Sequence, residues 1–151
     1  MNYVKKFKEL TTNELYTLLK IRSEVFVVEQ NCVYQDIDDK DLESYHVYML
    51  VEEEMTAYLR IVPESISGMG AYSIGRVVVP QSHRGKGYTR VLIDIAKRFL
   101  NNELQVSTII ISAQMYLLEF YKSLDFIEVG DEYLEDGIPH IKMIYNKTDN
   151  K

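Results

Sequence analysis

The sequence predicts one α/β domain on a mixed (α+β) sheet, mostly antiparallel, with one central pair of parallel strands and flanking helices. Two β-prone runs, residues 45–52 and 55–62, are separated by a very short acidic turn, the pattern of an antiparallel hairpin. Residues 72–79, 88–101, 106–111 and 115–124 then alternate strand, helix, strand, helix, and a crossover of that kind places its strands parallel. Residues 126–132 and 140–145, joined through Glu135-Asp136-Gly137, complete a second hairpin.

Taken in order, residues 4–7 are expected as a short first strand. Thr11-Thr12-Asn13-Glu14 is a capping box, in which Thr11 and Glu14 satisfy backbone donors at a helix start. The helix carries Leu15, Leu18, Leu19, Val25 and Phe26 on one stripe and ends near Glu29, its last turn weakened by the β-branched residues of 25–28. Residues 31–43 have no period and hold Asp36, Asp38, Asp39, Asp41 and Glu43, so an exposed acidic loop is expected, with a wall attracting a cationic substrate as the alternative. Residues 65–70 read as a flexible stretch. The run Val77-Val78-Val79 suggests a strand buried on both faces. Val91, Leu92, Ile95, Phe99 and Leu100 recur at helical spacing. The domain is expected to span residues 1–146, with 147–151 as a short tail.

With 151 residues and 46% hydrophobic residues, the chain has enough apolar material for one core. A formal charge of -6 argues against binding nucleic acid, which needs a basic surface. No apolar run approaches the roughly 20 residues that span a bilayer, and the first ten residues lack a signal's apolar core, so no membrane partner is expected. The single cysteine, Cys32, suits a reducing compartment, and the expected location is the cytoplasm. Three histidines and one cysteine form no ligand pair at a recognised spacing, so no metal is expected.

The sharpest local feature follows Val77, Val78 and Val79. Arg84-Gly85-Lys86-Gly87-Tyr88-Thr89-Arg90 is a glycine-containing turn that opens directly into a helix. The first amides of a helix have no intrahelical partner and sit at the positive end of its dipole, so they suit phosphate oxygens. Gly85 and Gly87 permit a tight turn, and Arg84, Lys86 and Arg90 add positive charge. Neither the Walker spacing nor the dinucleotide fingerprint is present.

This turn resembles the R-x-x-G-x-G/A signature of GNAT acyltransferases, with Thr89 at its last position. Phe26-Val27-Val28-Glu29-Gln30-Asn31-Cys32, Tyr34-Gln35-Asp36-Ile37-Asp38, Ile74-Gly75-Arg76-Val77-Val78-Val79, Ile111-Ser112-Ala113-Gln114 and the stretch from Tyr133 to His140 are similar to segments of the ElaA-like branch. The resemblance implies a fourth and a fifth strand that splay apart, acetyl-CoA between them as acyl donor, and transfer of acetyl to an amine-bearing acceptor. It implies an oxyanion donor among the backbone N–H groups near Val77. Phe120-Tyr121-Lys122-Ser123-Leu124-Asp125-Phe126 resembles the segment whose tyrosine faces the CoA sulfur, which makes Tyr121 the candidate acid, and Asp125 stands where glycine is common.

An amine with a pKa of about 10.4 must lose a proton before it attacks, so a base is needed. Residues 72–79 offer no carboxylate, and Glu29, His46 and His140 are the alternatives. His83 is expected at the surface or on a CoA phosphate, and Cys32 as a buried or loop thiol. Two rival readings stand beside the enzyme: a non-catalytic acyl-CoA-binding or sensing module, and an interaction domain whose acidic loop docks a basic protein. A homodimer is left open.

Overall fold

A computed structural model describes residues 1–147. Among these residues seven strands form one sheet in the order β1-β2-β3-β4-β5-β7-β6. They are β1 (Asn2–Lys6), β2 (Tyr45–Val51), β3 (Glu54–Val62), β4 (Tyr72–Val78), β5 (Thr108–Gln114), β6 (Ile127–Glu135) and β7 (Ile138–Asn146). Every neighbouring pair is antiparallel except β4 and β5, which are parallel. Among the described residues four α-helices accompany them: α1 (Thr12–Arg22), α2 (Glu64–Ser67), α3 (Tyr88–Arg98) and α4 (Leu118–Lys122).

The capping box forms as the sequence indicates: the Glu14 amide donates to Thr11 Oγ1 at 3.1 Å, and Glu14 Oε1 accepts from the Thr11 amide at 2.8 Å. Beyond Arg22 the chain widens into a π-helical segment, Ser23–Glu29, where the β-branched residues crowd a normal turn. Residues 99–103 after α3 do the same. Leu92, Ile93, Ala96 and Leu100 pack on one sheet face against Leu59, Ile61, Ile109 and Met143, while Leu18, Ile21 and Val25 cover Tyr48, Tyr58 and Val78 on the other. The two-sided burial of the central strands explains their near-continuous apolar runs.

Several boundaries differ from expectation. The fifth strand starts at Thr108, because Gln105 adopts φ 56 and the Val106 amide returns to Leu100 O to close the π segment. The helix expected over 115–124 contains only Leu118–Lys122 in α form, after a 3-10 turn. Residues 65–70 are ordered: Ser67 Oγ donates to Ala71 O at 2.6 Å and accepts from the Met69 amide at 3.1 Å. Asp125 takes φ 72, supplying in a left-handed turn what glycine supplies more easily. The expected tail lies outside the described residues from position 148 onward.

The larger correction concerns the acidic loop. Asp36 and Asp41 are buried and Asp38 is half-buried; only Asp39 and Glu43 face solvent as expected. Their partners are arginines from distant elements. Arg22, 0% exposed, bonds Asp41 Oδ1 at 2.8 Å and Asp36 Oδ2 at 3.0 Å. Arg60 bonds Asp38 at 2.6 Å and Asp41 at 2.8 Å, and Arg76 Nε lies 2.8 Å from Asp36 Oδ1. Burial pushes the Asp38 and Asp41 carboxyls up, but the hydrogen bonds and charge of these arginines outweigh it and hold both below their usual range. Both therefore add stability above the unfolded value of 3.8, and that stability is lost as pH falls through their lower folded values. Removing one member strands a buried charge. Arg22→Met is expected to cost about 3 kcal/mol in urea unfolding and to raise hydrogen exchange selectively across residues 31–44; a variant as stable as the parent would show that the network adds nothing.

Candidate active site

β4 and β5 are bridged only at Tyr72–Ile109 and Ser73–Ile110, after which they diverge. On its other edge β4 carries a bulge, since Tyr58 pairs with Val78 and Arg60 with Gly75, leaving one extra residue on β4. Arg76 sits there at φ 50. The bulge re-aims the backbone of Arg76 and Val77 where β5 no longer competes for its amides.

Two cavities meet at this opening. The larger, about 1230 Å³ including its mouth, is walled by Val77, Val78 and Val79, by residues 83–90, and by Glu29, Tyr116 and Phe120. Its floor is the start of α3. Gly87, at φ 78, is the N-cap, and no side chain caps the helix, in contrast to the boxed start of α1. The first intrahelical bond returning to Gly87 O comes from the Val91 amide, so the amides of Tyr88, Thr89 and Arg90 lack intrahelical acceptors. Lys86 is exposed beside them, and its ammonium pairs with nothing among the described residues. Arg84 is held otherwise: its guanidinium makes a fork to Glu29 at 2.6 and 2.7 Å, and its Nε donates to Val79 O. Arg90 lies over the Phe120 ring and donates to Ser123 Oγ. An open helix start with two glycines and basic side chains accepts phosphate oxygens.

The second cavity, on the far side of the opening, is the more polar of the two. Its walls include Cys32, Tyr34, Arg76, Ser112, Glu135 and His140. The two cavities share Phe26, Gln30, Val77, Gln114, Leu117 and Tyr121. Tyr121 is 6% exposed and packs edge-on to Phe120 and Phe126. Its hydroxyl has no hydrogen-bond partner among the described residues, and the residue lines both cavities. Burial pushes its phenol pKa up, and it stays protonated through the neutral range.

The structure separates the three candidate bases. His46 is 0% exposed and away from both cavities. Its Nε2 faces Asp41 O at 2.9 Å and its Nδ1 faces the Tyr58 hydroxyl at 2.7 Å, so both nitrogens are engaged and His46 is corrected to a core residue. Glu29 lines the larger groove, but the Arg84 hydrogen bonds and charge hold its carboxyl below the usual range and make it a poor proton acceptor. His140 lines the polar cavity with Tyr121. His83 is half-buried in the groove wall, 3.0 Å from Glu54 Oε1. Cys32 also lines the polar cavity, its thiol donating to Asp136 O at 3.5 Å. Sequence reasoning did not single out Arg76, Ser112 or Glu135, whose types alone carry no signal until β4, β5 and β6 are placed side by side.

A family model for the acetyltransferase (GNAT) domain matches residues 8–147. The chain belongs to this family, whose members are acyl-CoA-dependent N-acyltransferases. Within it the chain is ElaA-like. It is 40% identical to protein ElaA of Escherichia coli over 137 residues, 89% of each chain. The crystal structure of that protein superposes with a TM-score of 0.89 at 36% identity, covering 97% of this chain and 99% of the other. An acyl-CoA N-acyltransferase from Pseudomonas aeruginosa superposes with a TM-score of 0.88 at 37% identity, covering 96% and 98%. No described helix is long and apolar enough to cross a membrane, and no group of candidate metal ligands occurs among the described residues.

Proposed function

We propose that this protein transfers acetyl from acetyl-CoA to a primary amine by direct attack, with both substrates bound at once. The observation that carries this is the meeting of a phosphate-accepting groove and a polar cavity at Tyr121 and Val77. The amides at the start of α3, with Lys86, would hold the pyrophosphate, and Val77 to Val79 would line the pantetheine arm. Acetyl-CoA supplies an activated thioester carbonyl. The backbone N–H of the β4 bulge near Val77 is the donor to its oxygen, which gains negative charge as the amine attacks. Phe26, Leu117 and Tyr121 line the junction, where the acyl group would lie.

The proton balance follows. An ammonium acceptor gives one proton to His140 and attacks as a neutral amine; the C–S bond breaks, and in net the second amine proton goes to the CoA sulfur. Tyr121 relays it: the hydroxyl proton passes to the departing thiolate, and the second amine proton replaces it on the phenol oxygen. With one cysteine, Cys32, a free thiol, the chain suits the reducing cytoplasm.

The test is calorimetric titration with acetyl-CoA, followed by thiol release with a panel of amines. Saturable binding and amine-dependent release are expected. Binding without release across the panel would favour a sensing module instead, and no binding would sink the reading.

A further inference from the structure

We propose that Glu135 is the positioning residue of the base, holding His140 in place and stabilising the imidazolium that forms when the acceptor surrenders its proton. This rests on the acetyl-transfer reading above. His140 lies in β7 between Gln114 of β5 and Tyr133 of β6. Its Nδ1 is 2.7 Å from the Ile138 carbonyl oxygen, which can only accept, so Nδ1 carries hydrogen in both charge states. Nε2 is therefore the atom that takes a proton, and it lies 3.5 Å from Glu135 Oε2.

Glu135 is itself held. Its Oε1 accepts from Ser112 Oγ at 3.2 Å, and Ser112 Oγ is hydrogen-bonded to the Tyr133 hydroxyl. The Tyr133 ring stacks on the imidazole with centroids 6.2 Å apart and planes 25° apart. Three strands thus fix one carboxylate against one imidazole.

The other titratable or charged groups on this cavity are Cys32 and Tyr34 from the loop, Arg76 from β4, Tyr121 from α4 and Asp136 from the turn. Arg76 is already engaged by Asp36 and Asp38. Among the described residues only Glu135 comes within ion-pair distance of the ring. In the step, an N–H bond of the acceptor ammonium breaks and an Nε2–H bond forms, which places a positive ring beside the carboxylate. Glu135, with its side chain 50% exposed, then borders solvent, where the proton leaves between turnovers.

Glu135→Gln removes the charge and keeps the size and the bond to Ser112. Expected is a fall in kcat on the order of tenfold, a part of the roughly 10²–10⁴ that a positioned base contributes, with acetyl-CoA affinity and amine KM unchanged within about twofold. An undiminished kcat in Glu135→Gln, or a kcat in His140→Gln equal to the parent's, would overturn the proposal. A second readout needs no turnover: the His140 ring resonances are compared by NMR in the parent and in Glu135→Gln at one pH. A displaced Nε2 resonance supports the pair, and an unmoved one overturns it. Absence of thiol release with every amine would instead count against acetyl transfer, so the two failures are distinguishable.

Discussion

Gly87→Glu is expected to weaken acetyl-CoA binding by about 10³-fold, the loss of roughly two hydrogen bonds to a charged group at about 1.5–3 kcal/mol each. Gly87 caps α3 at φ 78, and an added Cβ there would meet no atom within 4 Å, so the variant folds without a clash. A side chain in this left-handed conformation costs about 1–2 kcal/mol of backbone strain. The carboxylate would sit before the open amides of Tyr88, Thr89 and Arg90, cap the helix from within, and repel phosphate. Gly87→Ala separates strain from charge. It carries the strain without the anion and should lose less than about tenfold in affinity, since strain alone is about 1–2 kcal/mol and falls partly on the free protein. Calorimetry with circular dichroism as the folding check decides the matter. A folded Gly87→Glu variant that binds like the parent would show that the phosphates lie elsewhere.

That the turn at residues 84–90 was legible in the sequence has a local cause. A strand, two glycines and a helix start are contiguous in the chain, so the open helix start they form, the candidate phosphate site, needs no distant partner. Tyr121 enters as a candidate acid only through resemblance, because a tyrosine on an apolar helix face carries no mark separating a core residue from a catalytic one. The acidic loop was misread for the opposite reason. Asp36, Asp38 and Asp41 look solvated in a segment without period, and what buries them are Arg22, Arg60 and Arg76, up to 40 positions away on α1, β3 and β4. Charge pairing of that kind depends on the register of strands, which no local pattern encodes. The same holds for Glu135, Ser112 and Tyr133, which meet His140 only once β5, β7 and β6 lie side by side.

Tyr121→Phe should lower kcat by about 10²-fold to 10³-fold, the range of a lost proton donor, while acetyl-CoA affinity stays within about twofold. The ring keeps its packing between Phe120 and Phe126 at 5.3 and 5.9 Å. The lost hydroxyl has no hydrogen-bond partner among the described residues, so stability should change by less than about 1 kcal/mol. That combination is diagnostic. A core tyrosine would show a stability change without a kinetic one, and a cofactor-binding tyrosine would weaken acetyl-CoA instead of slowing turnover. Because burial pushes the phenol up, it stays protonated through the neutral range, and the variant should lower kcat alike across that range. An undiminished kcat would return Tyr121 to the core and leave the departing thiolate to be protonated by solvent.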